Sequence, residues 1–246
     1  MAATKKAVMC PTLVQPKRIK HKVEWDDQKI AEFWNVVSEA CSEKFFARSA
    51  GAVFLEIAKK HLGRHVLDVG CGDGFLVHEM RRRGYEAIGA DAAPREDPYL
   101  FKIPGTELEK LGTERFDSAV SLETFEHLLP EKLVPTLCSI VRVLKPGAKL
   151  IFTVPLEEKL QEAACVCPDC HALFHRWQHQ QAFTRESLSA LLKSAGFEPI
   201  SFRPFSVPGQ IGLVPHFAWP LCSLLYARLK QSLHRLVEIL VVARRS

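Results

Sequence analysis

The sequence predicts an α/β chain, a doubly wound and mostly parallel sheet with helices on both faces. Three observations carry that prediction. The apolar run Val66-Leu67-Asp68-Val69 breaks into Gly70-Cys71-Gly72-Asp73-Gly74, the pattern of a buried parallel strand ending in a tight turn where residues without a Cβ let the backbone approach a ligand. Residues 75–83 then restart at helical period, with Leu76, Val77 and Met80 on one face. Further strand-like runs follow at 87–90, 116–121 and 149–154, and an amphipathic stretch at 130–143 lies between the last two.

In chain order, residues 1–22 read as a flexible basic tail containing Pro11 and Pro16. Residues 23–62 read as a helical cap, because Ile30, Phe33, Trp34 and Val37, and again Val53, Phe54, Ile57 and Ala58, fall at amphipathic spacing. The main domain occupies 63–246. Pro94, Pro98 and Pro104 make the segment after Asp91 loop-rich. Leu144-Lys145-Pro146-Gly147 ends the helix at 130–143 before the strand at 149–154. A helix at 187–195 is stopped by Gly196, a strand covers 197–202, and the β-branched run 236–242 supplies the last strand. Two insertions, 163–182 and 204–230, interrupt this plan.

At 246 residues the chain can bury one substantial core, and a second full domain is not expected. The net charge of +5 is concentrated near the two ends, at residues such as Lys5, Lys6, Arg244 and Arg245, without interleaved aromatic residues. Such tails are solvated termini, so a nucleic-acid partner is not expected. Residues 1–10 hold no sustained apolar core, so a cytoplasmic location is expected. Three of the eight cysteines cluster at Cys165, Cys167 and Cys170, which suits a metal site in a reducing compartment better than a disulfide framework.

The glycine spacing bears on the ligand. A dinucleotide loop requires Gly-x-Gly-x-x-Gly before a helix N-terminus aimed at a pyrophosphate. Here the order is Asp68-x-Gly70-x-Gly72-Asp73-Gly74. Two carboxylates repel a pyrophosphate and suit a ligand with an amino group and a sulfonium. Asp91, at the end of the second strand, can accept hydrogen bonds from two ribose hydroxyls.

On these residues the chain resembles the class I S-adenosylmethionine-dependent methyltransferases, over about 66–202. The Phe116-Asp117 strand followed by Glu126-His127, and the Leu-Lys-Pro-Gly turn, resemble the ubiquinone-type O-methyltransferases among them. The resemblance implies a Rossmann-like, seven-stranded, mostly parallel sheet with an antiparallel edge strand. It implies S-adenosyl-L-methionine held by Asp68, Gly70, Cys71, Gly72 and Gly74 around the methionine portion, by Asp91 and Ala92 at the ribose, and by Ser121, Leu122 and Glu123 beside the sulfonium. Thr106 and Glu107 stand where such enzymes bind adenine, although the usual Gly-Asp pair is here Gly105-Thr106.

Two features lie outside what the fold requires. Cys165-x-Cys167-Pro168-Asp169-Cys170-His171-x3-His175-x3-His179 offers zinc two thiolates from a tight turn and two imidazoles at helical i and i+4. Cys167, Cys170, His175 and His179 form the expected ligand set of a structural zinc, with Cys165 and His171 in reserve. A similar Cys-Pro-x-Cys, Phe-His-x-Trp, His stretch occurs in a subset of bacterial small-molecule methyltransferases. A redox pair and an unliganded loop are the other readings of these residues. Residues 204–227 contain no formally charged side chain, but Pro208, Pro215 and Pro220 oppose a continuous membrane-spanning helix. An apolar lid or subunit contact is one reading, and peripheral membrane contact through 207–230 with Arg228, Lys230 and Arg235 is another.

The expected reaction is methyl transfer to an oxygen of a small or lipid-like acceptor. An acceptor hydroxyl needs a base, for which His127 is the candidate, with Glu123 or Glu126 orienting it or acting instead. His175 and His179 are alternatives if free of metal. The Asn-Pro-Pro-Tyr type motif of enzymes that methylate amino groups of nucleic-acid bases is replaced by Ser121-Leu122-Glu123-Thr124. A non-catalytic cofactor-binding module and a nicotinamide-dependent oxidoreductase are the rival readings.

Overall fold

The computed structural model describes residues 21–207, 218–232 and 237–246. In chain order the first elements are β1 (His21–Lys22), α1 (Asp27–Cys41), α2 (Phe46–Ala58), β2 (His65–Val69), α3 (Phe75–Arg82), β3 (Glu86–Asp91) and β4 (Leu100–Lys102). There follow β5 (Phe116–Leu122), α4 (Pro130–Val143), β6 (Leu144–Leu156), β7 (Ala164–Val166) and β8 (Ala172–His175). The chain closes with α5 (Arg185–Ser194), β9 (Phe197–Phe205), α6 (Trp219–Ser232) and β10 (Val237–Arg245).

The main sheet has seven strands in the order β4-β3-β2-β5-β6-β10-β9. Neighbours from β4 to β6 pair parallel, and β10 runs antiparallel to both β6 and β9. The expected sheet is therefore present, with its reversed strand one place in from the edge. Helices cover both faces because each central strand splits its side chains between two cores. Leu67, Val69, Leu150 and Phe152 meet Leu137 and Ile140 of α4 and Leu188 and Leu192 of α5. Val66 and Ile151 face the other way, onto Phe54 and Ile57 of α2 and Leu76 and Met80 of α3.

Several boundaries move. Residues 23–62 divide in two: α2 buries Val53, Phe54 and Ile57 on the sheet, whereas α1 has no buried residue and alone acts as a cap. His21 and Lys22 leave the expected tail to pair in parallel with Ala172 and Leu173 of β8; residues 1–20 lie outside the described residues. The insertion at 163–182 forms an antiparallel hairpin of β7 and β8, not a helix. The loop-rich segment after Asp91 supplies the three-residue edge strand β4, too short to leave a periodic signal. The second insertion begins later than expected, since Pro204 and Phe205 continue β9 opposite β10. Residues 208–217, with Pro208 and Pro215, and residues 233–236, with Arg235, lie outside the described residues. Among the described residues no helix is long and apolar enough to cross a membrane.

Candidate active site

The strand order reverses beside β2, whose neighbours are β3 and β5. Ligands in open parallel sheets bind at this position, outside the C-terminal ends of the strands. A cavity of about 880 Å³ opens there. It is walled by Gly70, Cys71, Gly72, Asp91, Ala92, Thr106 and Leu122 of the strand ends and loops, and by Trp34, Phe45, Glu123, His127, Glu158, Trp177 and His179.

The glycine loop is held by specific contacts. Gly70 and Gly72 have φ of +77° and +51°, in the left-handed region. A Cβ on Gly70 would lie 2.3 Å from Thr124 Cγ2, whereas one on Gly72 would meet nothing closer than Phe45 at 3.8 Å. The loop thus packs tightly behind and leaves open space in front. Asp91 Oδ2 accepts from the Gly72 N–H at 3.0 Å and Oδ1 from the Ala93 N–H at 2.9 Å. Each oxygen keeps a lone pair for a hydroxyl, so the cradle fits a ribose diol. Asp73 is engaged by Arg48 of α2, at 2.6 and 2.7 Å, and accepts from the Phe75 N–H that begins α3. Its charge is thereby consumed within the fold.

Not every expected cofactor residue reaches the wall. Asp68 is 2% exposed beneath the loop and stands outside the cavity lining, and burial, aided by the Asp91 and Asp73 carboxyls, pushes it up to about 8. Gly74 begins α3 behind the cavity, and Ser121 is buried, donating to the Val69 carbonyl at 2.8 Å. Glu107 is an exposed partner of Lys110 on the far side of its turn, which leaves Thr106 as the lining residue of that pair.

The acceptor half gathers groups from four segments. Glu123 sits at the end of β5 in the left-handed region, φ +47°, a sterically costly place for a residue with a Cβ. Burial, then the neighbouring Glu126, holds its carboxyl well above the usual carboxylate range. Glu126 is fully buried outside the wall, and neither carboxyl oxygen has a hydrogen-bond partner among the described residues. Burial raises it as well, so both acids hold their protons to higher pH than an ordinary carboxyl. His127 lines the cavity with its ring edge-on to Trp34, 4.6 Å between centroids. Burial pushes its imidazole well below the ordinary value, which makes it a weak base.

The expected zinc ligands separate into two groups. His175 ends strand β8 and His179 follows in a turn, so their spacing of four is not a helical one. Their rings stack at 4.4 Å beside Glu158, with His179 Nδ1 2.5 Å from Glu158 Oε2 and His175 Nε2 3.3 Å from Oε1. Among the described residues, the clusters with metal-ligand spacing are Glu126–His127–His179 and Glu158–His175–His179. Cys167 and Cys170 join neither; they lie at the turn between β7 and β8, where backbone N–H groups of Cys170 and Asp169 lower the proton affinity of the Cys167 thiol. A strand direction, unlike a helix face, carries the two histidines away from the thiols and toward Glu158, with His179 lining the cavity and His175 buried behind it.

Gln178 and Glu158 are site residues that the sequence pattern did not single out, and in the sequence Trp34 is marked only by its place on the amphipathic face of the cap. Gln178 is fully buried; its Oε1 accepts from Trp34 Nε1 and its Nε2 donates to the His127 carbonyl, each at 2.9 Å. One amide thus ties α1, the turn after β5 and the hairpin insertion together. No periodic or spacing rule marks a lone Gln for that role, and Glu158 follows β6 in a loop with no motif of its own.

The model of the methyltransferase domain family matches residues 43–201. The chain belongs to that family. The ubiquinone biosynthesis O-methyltransferase of Cereibacter sphaeroides is 32% identical over 156 residues, 56% of this chain and 62% of that protein. The chain thus aligns with less than two thirds of that relative's length. The 1,6-didemethyltoxoflavin-N1-methyltransferase of Burkholderia thailandensis, solved with S-adenosylhomocysteine, superposes with a TM-score of 0.61 at 19% identity, covering 91% of this chain and 92% of its own. A SAM-dependent methyltransferase from Archaeoglobus fulgidus gives 0.60 at 20% identity, over 83% and 98%. These two structures share the fold.

Proposed function

We propose that this chain is an S-adenosylmethionine-dependent methyltransferase acting on an oxygen of a small or lipid-like acceptor. The observation that carries the proposal is one cavity joining the glycine loop and Asp91 to an aromatic and histidine-lined half. When bound, the cofactor supplies an electrophilic methyl group on a sulfonium. Asp91 would hold the ribose, Gly70, Cys71 and Gly72 the chain beyond it, and Thr106 the base. Trp34, Phe45 and Trp177 would pack an apolar acceptor and exclude water, so that the protein mainly contributes alignment. The preference for oxygen is supported by the names of curated relatives such as the ubiquinone biosynthesis O-methyltransferase of Cereibacter sphaeroides and the O-methyltransferase resE of Aspergillus sclerotiorum.

Two further parts of this reading concern the surroundings. The described cysteines are free thiols, as suits a cytoplasmic protein. Cys167 and Cys170 would supply two ligands of a structural zinc site, with Cys165 and His171 as the reserve ligands, since the clusters at metal spacing among the described residues hold His175 and His179 without a cysteine. Leu221, Leu225 and Leu229 are 59%, 55% and 55% exposed along one face of α6, which supports peripheral contact with a lipid surface that stores the acceptor.

Calorimetric titration with S-adenosylmethionine, S-adenosylhomocysteine and NAD tests the central claim. The adenosyl ligands should bind and NAD should not. Asp91→Ala should weaken the adenosyl ligands on the order of tenfold or more, the loss of hydrogen bonds to a charged acceptor. Binding of NAD alone would overturn the proposal. Zinc analysis of the same sample tests the thiol pair.

A further inference from the structure

The hydrogen bonds around Glu158 fix where the ring protons lie. His175 Nδ1 accepts from the backbone N–H of Trp177 at 3.3 Å and of His179 at 3.2 Å. A neutral imidazole has one lone pair, so the His175 proton is on Nε2, facing Glu158 Oε1. In this tautomer the His175 lone pair points to the backbone and not toward Glu158, so Glu158–His175–His179 lacks one of the three donors its spacing offers a metal. A carboxylate only accepts, so the 2.5 Å contact to Glu158 Oε2 places the His179 proton on Nδ1. That leaves the lone pair on His179 Nε2, which has no hydrogen-bond partner among the described residues, and His179 lines the cavity.

We propose that Glu158 and His179 form a carboxylate–imidazole pair in which His179 Nε2 takes the proton of an acceptor hydroxyl. The inference rests on the methyl-transfer reading. The hydroxyl proton passes to Nε2 and the acceptor oxygen forms the new C–O bond to the methyl carbon. The methyl–sulfur bond breaks with its electron pair to sulfur, leaving a neutral thioether. The imidazolium that results is stabilised by Glu158, which His179 Nδ1 contacts directly at 2.5 Å, while His175 Nε2 lies 3.3 Å from the other oxygen without a hydrogen bond. His175 is a positioning residue, since it reaches the acceptor half only through Glu158.

The surroundings support this division of roles. Burial raises the proton affinity of Glu123, Glu126 and Glu238, and Glu158 is the carboxyl that both His175 and His179 approach. His127, with its depressed proton affinity, is the poorer base although its ring centroid is 4.8 Å from that of His179. Gln178, immediately before His179, adopts φ +59° and is locked by both ends of its amide. The next residue, His179, lines the cavity.

The groups facing His179 are Glu158, His175, His127 and Glu126, and the guanidinium of Arg176 lines the same wall. The test uses ¹⁵N-histidine NMR of the full chain, wild type and Glu158→Gln, with S-adenosylhomocysteine calorimetry on the same samples. His179 should carry its proton on Nδ1 in the wild type. Glu158→Gln should lower its proton affinity on the order of tenfold while adenosyl binding changes less than about twofold. Addition of zinc to the wild type should leave the His175 and His179 resonances in place. A proton on Nε2, an unchanged affinity in Glu158→Gln, or zinc-induced loss of both resonances would each overturn the pair. Absence of adenosyl binding with the expected tautomer would instead overturn the methyl-transfer reading. Titration of bound 4-nitrocatechol gives a second readout: its phenolate absorbance should fall in His179→Gln relative to wild type, and an equal absorbance would count against His179 as the base.

Discussion

Asp68 and Asp91 stand near the ends of adjacent parallel strands, paired in register with Gly89 and Lys102 respectively; Asp68 is buried, whereas Asp91 lines the cavity. Asp68 has its folded proton affinity raised from 3.8 to about 8. Between roughly pH 4 and 8 the folded state therefore holds a proton that the unfolded chain releases, and stability falls as pH rises through that window. Asp91, Glu123 and Glu126 shift in the same direction, so one substitution removes only part of the slope. Thermal melts of Asp68→Asn should match the wild type near pH 4 and exceed it near pH 8. A variant that is less stable at both pH values would show that the carboxyl makes contacts that an amide cannot replace.

At the scale of elements, the cap and the hairpin insertion act together through Gln178. Its removal orphans Trp34 Nε1 and the His127 carbonyl, costing about 1–3 kcal/mol for each buried group left unpaired. Gln178→Ala should accelerate amide exchange in α1 and in residues 124–128 while leaving α4 protected, and uniform acceleration would argue against a local clasp. The helix α6 poses a separate question. Its inner face buries Trp219, Ser223 and Ala227, and its outer face presents three leucines to solvent. Changing Leu221, Leu225 and Leu229 to Ser should abolish co-sedimentation with anionic phospholipid vesicles. Because the three are exposed, stability should change by no more than about 0.5 kcal/mol each. Undiminished co-sedimentation would remove α6 from the contact.

For the whole molecule, one cavity spans the switch point of the sheet, so ligand binding couples to the entire core. The α2–Arg48–Asp73 tie and the Asp91–Gly72 hydrogen bond connect the loop to helices and strands on the second core. S-adenosylhomocysteine at about 100 times its Kd should therefore stabilise the folded chain by about 2.7 kcal/mol. A rise in melting temperature with that ligand, absent with NAD, is the expected result. Equal shifts with both would indicate nonspecific binding.

By itself the sequence determined the strand–loop–helix unit at 65–82, the order of the later strands, the glycine loop and Asp91, because these depend on local periodicity and on residues close in the chain. It also identified His175 and His179 as a chemically related pair. Only the tertiary structure decided what that pair does. Two histidines four apart suit a helix and a metal, but here β8 and the turn after it bring them to Glu158, and backbone N–H groups occupy the lone pair of one ring. Asp68, expected at the cofactor, and Glu126, expected to orient His127 or act as base, are both buried outside the cavity lining, since strand pleat and helix packing, not residue type, choose which carboxyls meet the cavity. The clasp formed by Gln178 joins residues 34, 127 and 178, and such long-range contacts leave no periodic trace in a single chain.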